Sequence, residues 1–148
     1  KLPRYVKEKL SLYDDGQALA ESLEPAQRVV VLGQNSVLRS AVDNDFPHPQ
    51  MAIAQELYAM AKPGDVLFSI STSGNAKNLH HAAHIAHVLG LTVIGLTGQK
   101  GGLLREDADI LIAADAGVTD EIQDRHILIY HVLCKMLEAA FFDEDREK

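Results

Sequence analysis

At 148 residues the chain has the size of one domain and is long enough to bury a core without disulfides or metals, and its 47% hydrophobic and 24% charged content is that of a soluble globular protein. A net charge of −7 with no basic cluster argues against nucleic acid as a partner, since that binding needs Lys and Arg to displace counterions. No stretch approaches the roughly 18 continuous apolar residues of a membrane span. The single Cys134 excludes an internal disulfide and fits a reducing, cytoplasmic setting, and no secretory signal is visible. The first residue is Lys1 rather than Met, so the chain is expected to be part of a longer gene product.

In chain order, residues 4–23 read as an amphipathic helix or helix pair (Val6, Leu10, Leu12, Leu19, Leu23) broken around Asp14-Asp15-Gly16. Arg28-Val29-Val30-Val31-Leu32-Gly33 is a short β-branched run ending in glycine, the form of a buried parallel strand. Residues 50–61 read as a helix stopped by Lys62-Pro63-Gly64-Asp65. A strand over 66–70 follows, then a helix over 77–89 stopped at Gly90, a strand over 91–96, another over 108–113, and a long amphipathic helix over 119–141. Strands alternating with helices predict an α/β fold whose parallel sheet is covered on both faces.

The chemistry concentrates in Ser71-Thr72-Ser73-Gly74-Asn75, directly behind the apolar run Val66–Ile70. Where a parallel strand turns into a helix, this loop offers three hydroxyls and a glycine that lets the backbone wrap an anion. The first helical turn adds unpaired N–H groups and a partial positive charge, which makes this a phosphate site. Asn75 is expected to cap the helix that follows.

Three stretches carry a resemblance: Pro63 through Asn78 (PGDVLFSISTSGNAKN), Val93 through Gly102 (VIGLTGQKGG), and Thr119-Asp120 with Ile122-Gln123 and His131. In this order and spacing they resemble the SIS (sugar isomerase) domain, and within it the phosphoheptose isomerase branch, over roughly residues 28–141. The resemblance implies a doubly wound three-layer α/β/α sandwich with a mainly parallel sheet, flavodoxin-like in layout. One SIS domain would then occupy 1–148, with residues 1–27 as a helical region before an α/β core over 28–141. It also implies an aldose–ketose isomerase acting on sedoheptulose 7-phosphate. Such an enzyme anchors a phosphate, removes a proton beside a carbonyl and returns it one carbon away through an enediol. SIS domains also include phosphosugar sensors and protein-binding modules, one of which associates with a replication initiator, so a non-catalytic reading stands beside the enzymatic one.

The resemblance assigns roles by position. Ser71, Thr72 and Ser73 would bind the phosphate, while Ala76 stands where the family usually keeps another phosphate-binding serine, at the cost of one hydrogen bond. Asn44 and Asp45 match an Asn-Asp pair at the sugar hydroxyls; by residue type alone they are a polar helix end beside Phe46-Pro47. Asp120 would bind sugar or, equally, serve the helix N-terminus. Gln123 and His131 would form the local half of the catalytic site, with His131 as general acid/base and both as zinc ligands. Eight helical residues rise about 12 Å, so the two reach one metal only with extended side chains or from neighbouring chains. His126, rotated about 140° from His131 on a helix, is expected in a hydrogen-bonded interface role.

One connection conflicts with the pattern. A parallel strand needs a crossover of about a dozen residues or more before the next can pair beside it, yet Gly33 runs straight into Gln34-Asn35-Ser36-Val37-Leu38 with no helix expected there. The family carries a glycine-rich loop, a helix and a second strand at this point, including a His and a Glu one turn apart that would complete the metal site. A segment of a few tens of residues is therefore expected between Gly33 and Gln34, with a genuine deletion as the alternative. The remaining features have plainer readings. His80, His84 and His87 share a helical face with no carboxylate or Cys beside them and are expected to be solvated. Gly98, Gly101 and Gly102 are expected to be conformational, and the tail Asp143–Lys148 a charged, solvated end. The apolar set Ile122, Ile129, Leu133, Met136 and Leu137 exceeds what one face requires, which predicts a homo-oligomer; the resemblance implies tetramers with shared active sites.

Overall fold

Apolar, largely β-branched runs separated by helical stretches form a parallel sheet in the computed structural model, which describes residues 2–24 and 26–142. The described residues divide into two units, a larger one over 31–131 and a smaller one formed by residues up to 30 and from 132 onward.

In the larger unit the strands β1 (Val66–Ser71), β2 (Thr92–Gly98) and β3 (Ile110–Ala114) lie in the order β1-β2-β3. All are parallel, with Ser71 opposite Thr97 and Gly98 opposite Ala114. Four helices precede or connect them: α3 (Ser36–Asp45), α4 (Ala52–Met60), α5 (Lys77–Val88) and α6 (Leu104–Asp107). Ala82, Ala83 and Ala86 are fully buried on α5; their small side chains let the helix backbone approach Leu67 and Val93 of the sheet and Leu57 of α4 in one apolar cluster. At the amino ends of the strands, Gly64 donates its N–H to the Gly90 carbonyl at 3.1 Å and Thr92 donates to the Asp65 carbonyl at 3.2 Å. These bonds tie the two turns that begin β1 and β2.

The predicted strands over 66–70, 91–96 and 108–113 and the helices over 50–61 and 77–89 are all present within about two residues. The predicted strand at 28–33 is not. Residues 26–31 carry no strand, and Val29, Val30 and Val31 are exposed. A β-branched run becomes a strand only when an edge is within reach, and with only two residues between Gly33 and the start of α3 at Ser36 there is no room for a crossover. Gly33 turns instead at φ +83°, donating its N–H to Glu56 Oε2 at 2.6 Å. α3 itself corrects the expectation of no helix after Gly33. Its start was readable in Asn35, whose side-chain oxygen accepts the Leu38 N–H at 3.0 Å as an N-cap.

In the smaller unit, α1 (Arg4–Leu10) and α2 (Gly16–Ser22) form the expected helix pair, with the Gly16 N–H donated to the Tyr13 carbonyl across the break. Helix α7 (Thr119–Phe142) starts in the larger unit and supplies residues from 132 onward to the smaller. The charged tail at Asp143–Lys148 lies outside the described residues. Among the described residues, no helix is long and apolar enough to cross a membrane.

Candidate functional site

The carboxyl ends of the three strands are joined into one edge by backbone hydrogen bonds between their loops. Gly98 donates its N–H to the Thr72 carbonyl at 3.0 Å, Gln99 donates to the Ala116 carbonyl at 3.1 Å, and Leu104 donates to the Gly74 carbonyl at 3.0 Å. In open α/β sheets this is the end at which ligands bind.

Within the loop after β1, Ser71 Oγ accepts the Gly74 N–H at 3.1 Å and Ser73 Oγ accepts the Asn75 N–H at 3.2 Å. A hydroxyl that accepts from the backbone still has its own proton to give, so these bonds fix where both side chains stand without exhausting them as donors to an anion. Thr72 is half-buried and Ser73 exposed. Gly74 holds φ +69°, and a Cβ there would overlap the Gly101 carbonyl; only glycine permits so close an approach of the two loops. Gly101 and Gly102 are conformational as expected, both at positive φ.

Asn75 does not cap α5. Its Oδ1 accepts the Leu103 N–H at 3.2 Å, which ties the β1 loop to the segment before α6. The N-cap of α5 is Ala76, which has no side-chain acceptor to offer. The helix starts at Lys77 as expected, which makes residue 76 its N-cap and leaves Asn75 one residue outside it. In this twelve-residue helix the Leu79 N–H donates to the Ala76 carbonyl at 3.0 Å and to Asn78 Oδ1 at 2.9 Å, while the Lys77 and Asn78 amides make no hydrogen bond among the described residues and face the end of the helix where an anion is favoured.

Helix α7 docks at the same edge through Ile122, which is buried and lies so close to Gly98 that a Cβ there would overlap it. Asp120 and Gln123 stand exposed on the first turns. Asp120 accepts no hydrogen bond among the described residues, so it does not cap the helix; its charge lies in the first turn, where the dipole favours it. Asn44 and Asp45 occupy the last turn of α3. The Asn44 side chain donates to the Ser40 carbonyl at 2.8 Å, and both residues line an open depression of about 460 Å³ with Ser36, Val37, Ser40 and Ala41. That depression is lined by α3 alone, so it is separate from the Ser71 loop.

His131 is exposed, its ring edge-on to Tyr130 at 5.2 Å, and no hydrogen bond or ion pair holds it among the described residues. His126 corrects its expectation: it is 3% exposed, and its Nε2 is buried with no hydrogen-bond partner. As zinc ligands, Gln123 and His131 supply one amide and one imidazole from exposed positions, and His131 joins no cluster of three or more His, Cys, Asp or Glu ligand atoms among the described residues. Two such donors are fewer than the three protein ligands of even an open zinc site, so the described residues do not fit zinc there.

The histidines of α5 also correct the sequence reading. Carboxylates do accompany them, delivered by the chain after β2. His80 Nδ1 lies 2.6 Å from Asp107 Oδ2, His84 Nε2 lies 3.4 Å from Asp107 Oδ1, and His87 Nε2 lies 3.5 Å from Asp109 Oδ2. No local pattern could have shown this, because the partners are more than twenty residues apart in sequence.

Comparison with known proteins agrees with this geometry. The profile of the SIS domain family matches residues 9–98. The chain is similar to the phosphoheptose isomerase of Geotalea daltonii (37% identical, over 79% of this chain and 60% of that protein) and to that of Akkermansia muciniphila (32%, over 86% and 71%). It is also similar to that of Mycobacterium tuberculosis (42%, over 75% and 56%). Among solved structures, a phosphoheptose isomerase from Francisella tularensis superposes with a TM-score of 0.71 at 29% identity, covering 81% of this chain and 68% of the other. One from Neisseria gonorrhoeae gives 0.70 at 33% identity, covering 74% and 61%. The chain thus spans about 60% of the length of such relatives.

Proposed function

The chain belongs to the SIS domain family, and on that premise we propose that it binds a phosphorylated sugar at the Ser71–Gly74 loop and takes part in aldose–ketose isomerisation of sedoheptulose 7-phosphate. The observation that carries this reading is the pair of turn bonds that hold Ser71 and Ser73 at an uncapped helix N-terminus. The isomerase names of the relatives supply the substrate.

In this reading Ser71, Thr72 and Ser73 donate to the phosphate oxygens, Asp120 receives a sugar hydroxyl, and Asn44 and Asp45 serve sugar hydroxyls of an assembled site. His131 removes the proton from the carbon beside the carbonyl, giving an enediol, and returns it to the former carbonyl carbon; the hydroxyl proton moves in the same sense, from the hydroxyl oxygen to the former carbonyl oxygen. Gln123 orients the sugar. No step is routed through zinc. The exposed apolar side chains of α7, Leu128, Met136 and Leu137 among them, support a homo-oligomer, a dimer or tetramer, that would complete the site around His131. The free, exposed Cys134 suits a reducing cytoplasm.

The test is isomerisation in deuterated solvent. Solvent deuterium should enter the sugar at the carbon beside the carbonyl, and an aldose phosphate should form. A specific observation favours a second reading: among the described residues no carboxylate pairs with His131, and Ala76 offers no hydroxyl. If sugar phosphate binds but no deuterium enters, the chain is a phosphosugar sensor.

A further inference from the structure

We propose that α5 and α6 form a divalent-cation site, with His80, His84 and Asp107 as protein ligands and zinc as the ion that suits them. The site lies apart from Gln123 and His131 and is independent of the sugar-phosphate reading. His80 and His84 stand four residues apart on one face of α5, with ring centroids 4.2 Å apart. Asp107 ends α6 and presents one carboxylate oxygen to each imidazole. The three ligand atoms lie within 4.8 Å of one another. A tetrahedral zinc with bonds of about 2.0–2.2 Å holds its ligands roughly 3.3–3.6 Å apart, so small side-chain rotations fit this set around an ion. Two imidazoles and a carboxylate are a donor set of borderline softness that favours zinc over calcium or magnesium.

Burial supplies the second observation. The Asp107 side chain is only 8% exposed, and a carboxylate is rarely so buried without a compensating charge. Among the described residues neither Lys nor Arg pairs with it, and both its ion-pair partners are histidines. Without metal, each imidazole can meet the carboxylate only by donating a ring proton. A dication takes the place of those protons, accepts both nitrogen lone pairs and neutralises the carboxylate. His84 is 58% exposed, which leaves a path for entry and a fourth position for water.

The consequence is structural. Helix α6 has only four residues, too few to be stable alone. Its start is held by Gly74 and Asn75 of the hydroxyl loop. A cation at its end would fasten it to α5 and so brace that loop from below.

Cobalt(II), a spectroscopic stand-in for zinc, provides the test on chelator-treated protein. One equivalent per chain should give the visible absorption of a tetrahedral ion, displaced by zinc. His84→Gln should weaken cobalt binding by more than the about 10- to 100-fold that loss of an outer-shell partner costs. Asp107→Asn should do the same, while His131→Gln should leave binding unchanged. Because Asp107 is buried, His84→Gln decides the matter if Asp107→Asn does not fold. Absence of cobalt binding, binding that survives His84→Gln, or binding lost in His131→Gln would each overturn the proposal. Solvent-deuterium incorporation into sugar is read separately, so failure of one reading leaves the other intact.

Discussion

Ser73 and Ala76 show how much single side chains decide at the hydroxyl loop. Ser73 holds the Asn75 amide, and in the proposed function its hydroxyl also donates a hydrogen bond to the phosphate. Ser73→Ala should therefore weaken sugar-phosphate binding by about 1–3 kcal/mol, the cost of a lost hydrogen bond to a charged group; equal calorimetric affinities would remove Ser73 from the site. Ala76 sits at the N-cap without an acceptor. Ala76→Ser should raise stability by about 0.5–2 kcal/mol through capping, read as a higher urea midpoint at unchanged slope. The same hydroxyl should tighten phosphate binding. For His131, a general acid/base typically contributes about 10²- to 10⁴-fold. His131→Gln should lower turnover by that order while phosphate affinity holds, and a variant with full turnover would assign proton transfer to another group.

Between elements, the decisive contact is that of α7 with β2. Gly98 leaves room for Ile122 and for the Thr72 carbonyl, so the helix carrying Asp120 and Gln123 is seated by the absence of one methyl group. Gly98→Ala should overpack this junction and destabilise the fold by about 1–3 kcal/mol. Pairing it with Ile122→Ala should recover part of the loss, because contacting residues are non-additive. Strict additivity of the two losses in urea unfolding would show that Ile122 does not press on Gly98. Recovery should be incomplete, since the Thr72 carbonyl is backbone and cannot retreat.

For the molecule as a whole, β1 leaves Val66, Phe68 and Ile70 exposed on one face, and α7 exposes Leu128, Val132, Met136 and Leu137. Parallel sheets are ordinarily covered on both faces, and so much apolar surface marks an interaction site. Light scattering at micromolar concentration should return a dimer or tetramer; a monomer mass would contradict the assembly and with it a shared site at His131. Between Gly33 and α3 the chain is too short for a crossover between parallel strands, and we propose that a further segment follows Gly33. Intact mass should exceed 16.2 kDa by a few tens of residues; a mass at that value would show the chain to be continuous there.

Sequence alone determined the features that depend on near neighbours. Apolar runs bounded by Gly and Pro located β1, β2 and β3, and the hydroxyl loop was legible because a strand, a turn and a helix start follow one another within a few residues. The family followed from three such motifs in order. Tertiary structure decided whatever depends on residues far apart in the chain. Whether Val29–Val31 becomes a strand depends on an edge to pair with, and the extended run by itself cannot supply one. Asn75 turned from capping to bridging because Leu103 arrives beside it. The α5 histidines gained their carboxylates because β2 and α6 return Asp107 to them, across 27 residues from His80. Short-range pattern encodes propensity and local turn chemistry, whereas the pairing of polar groups is settled only when the core brings distant segments together.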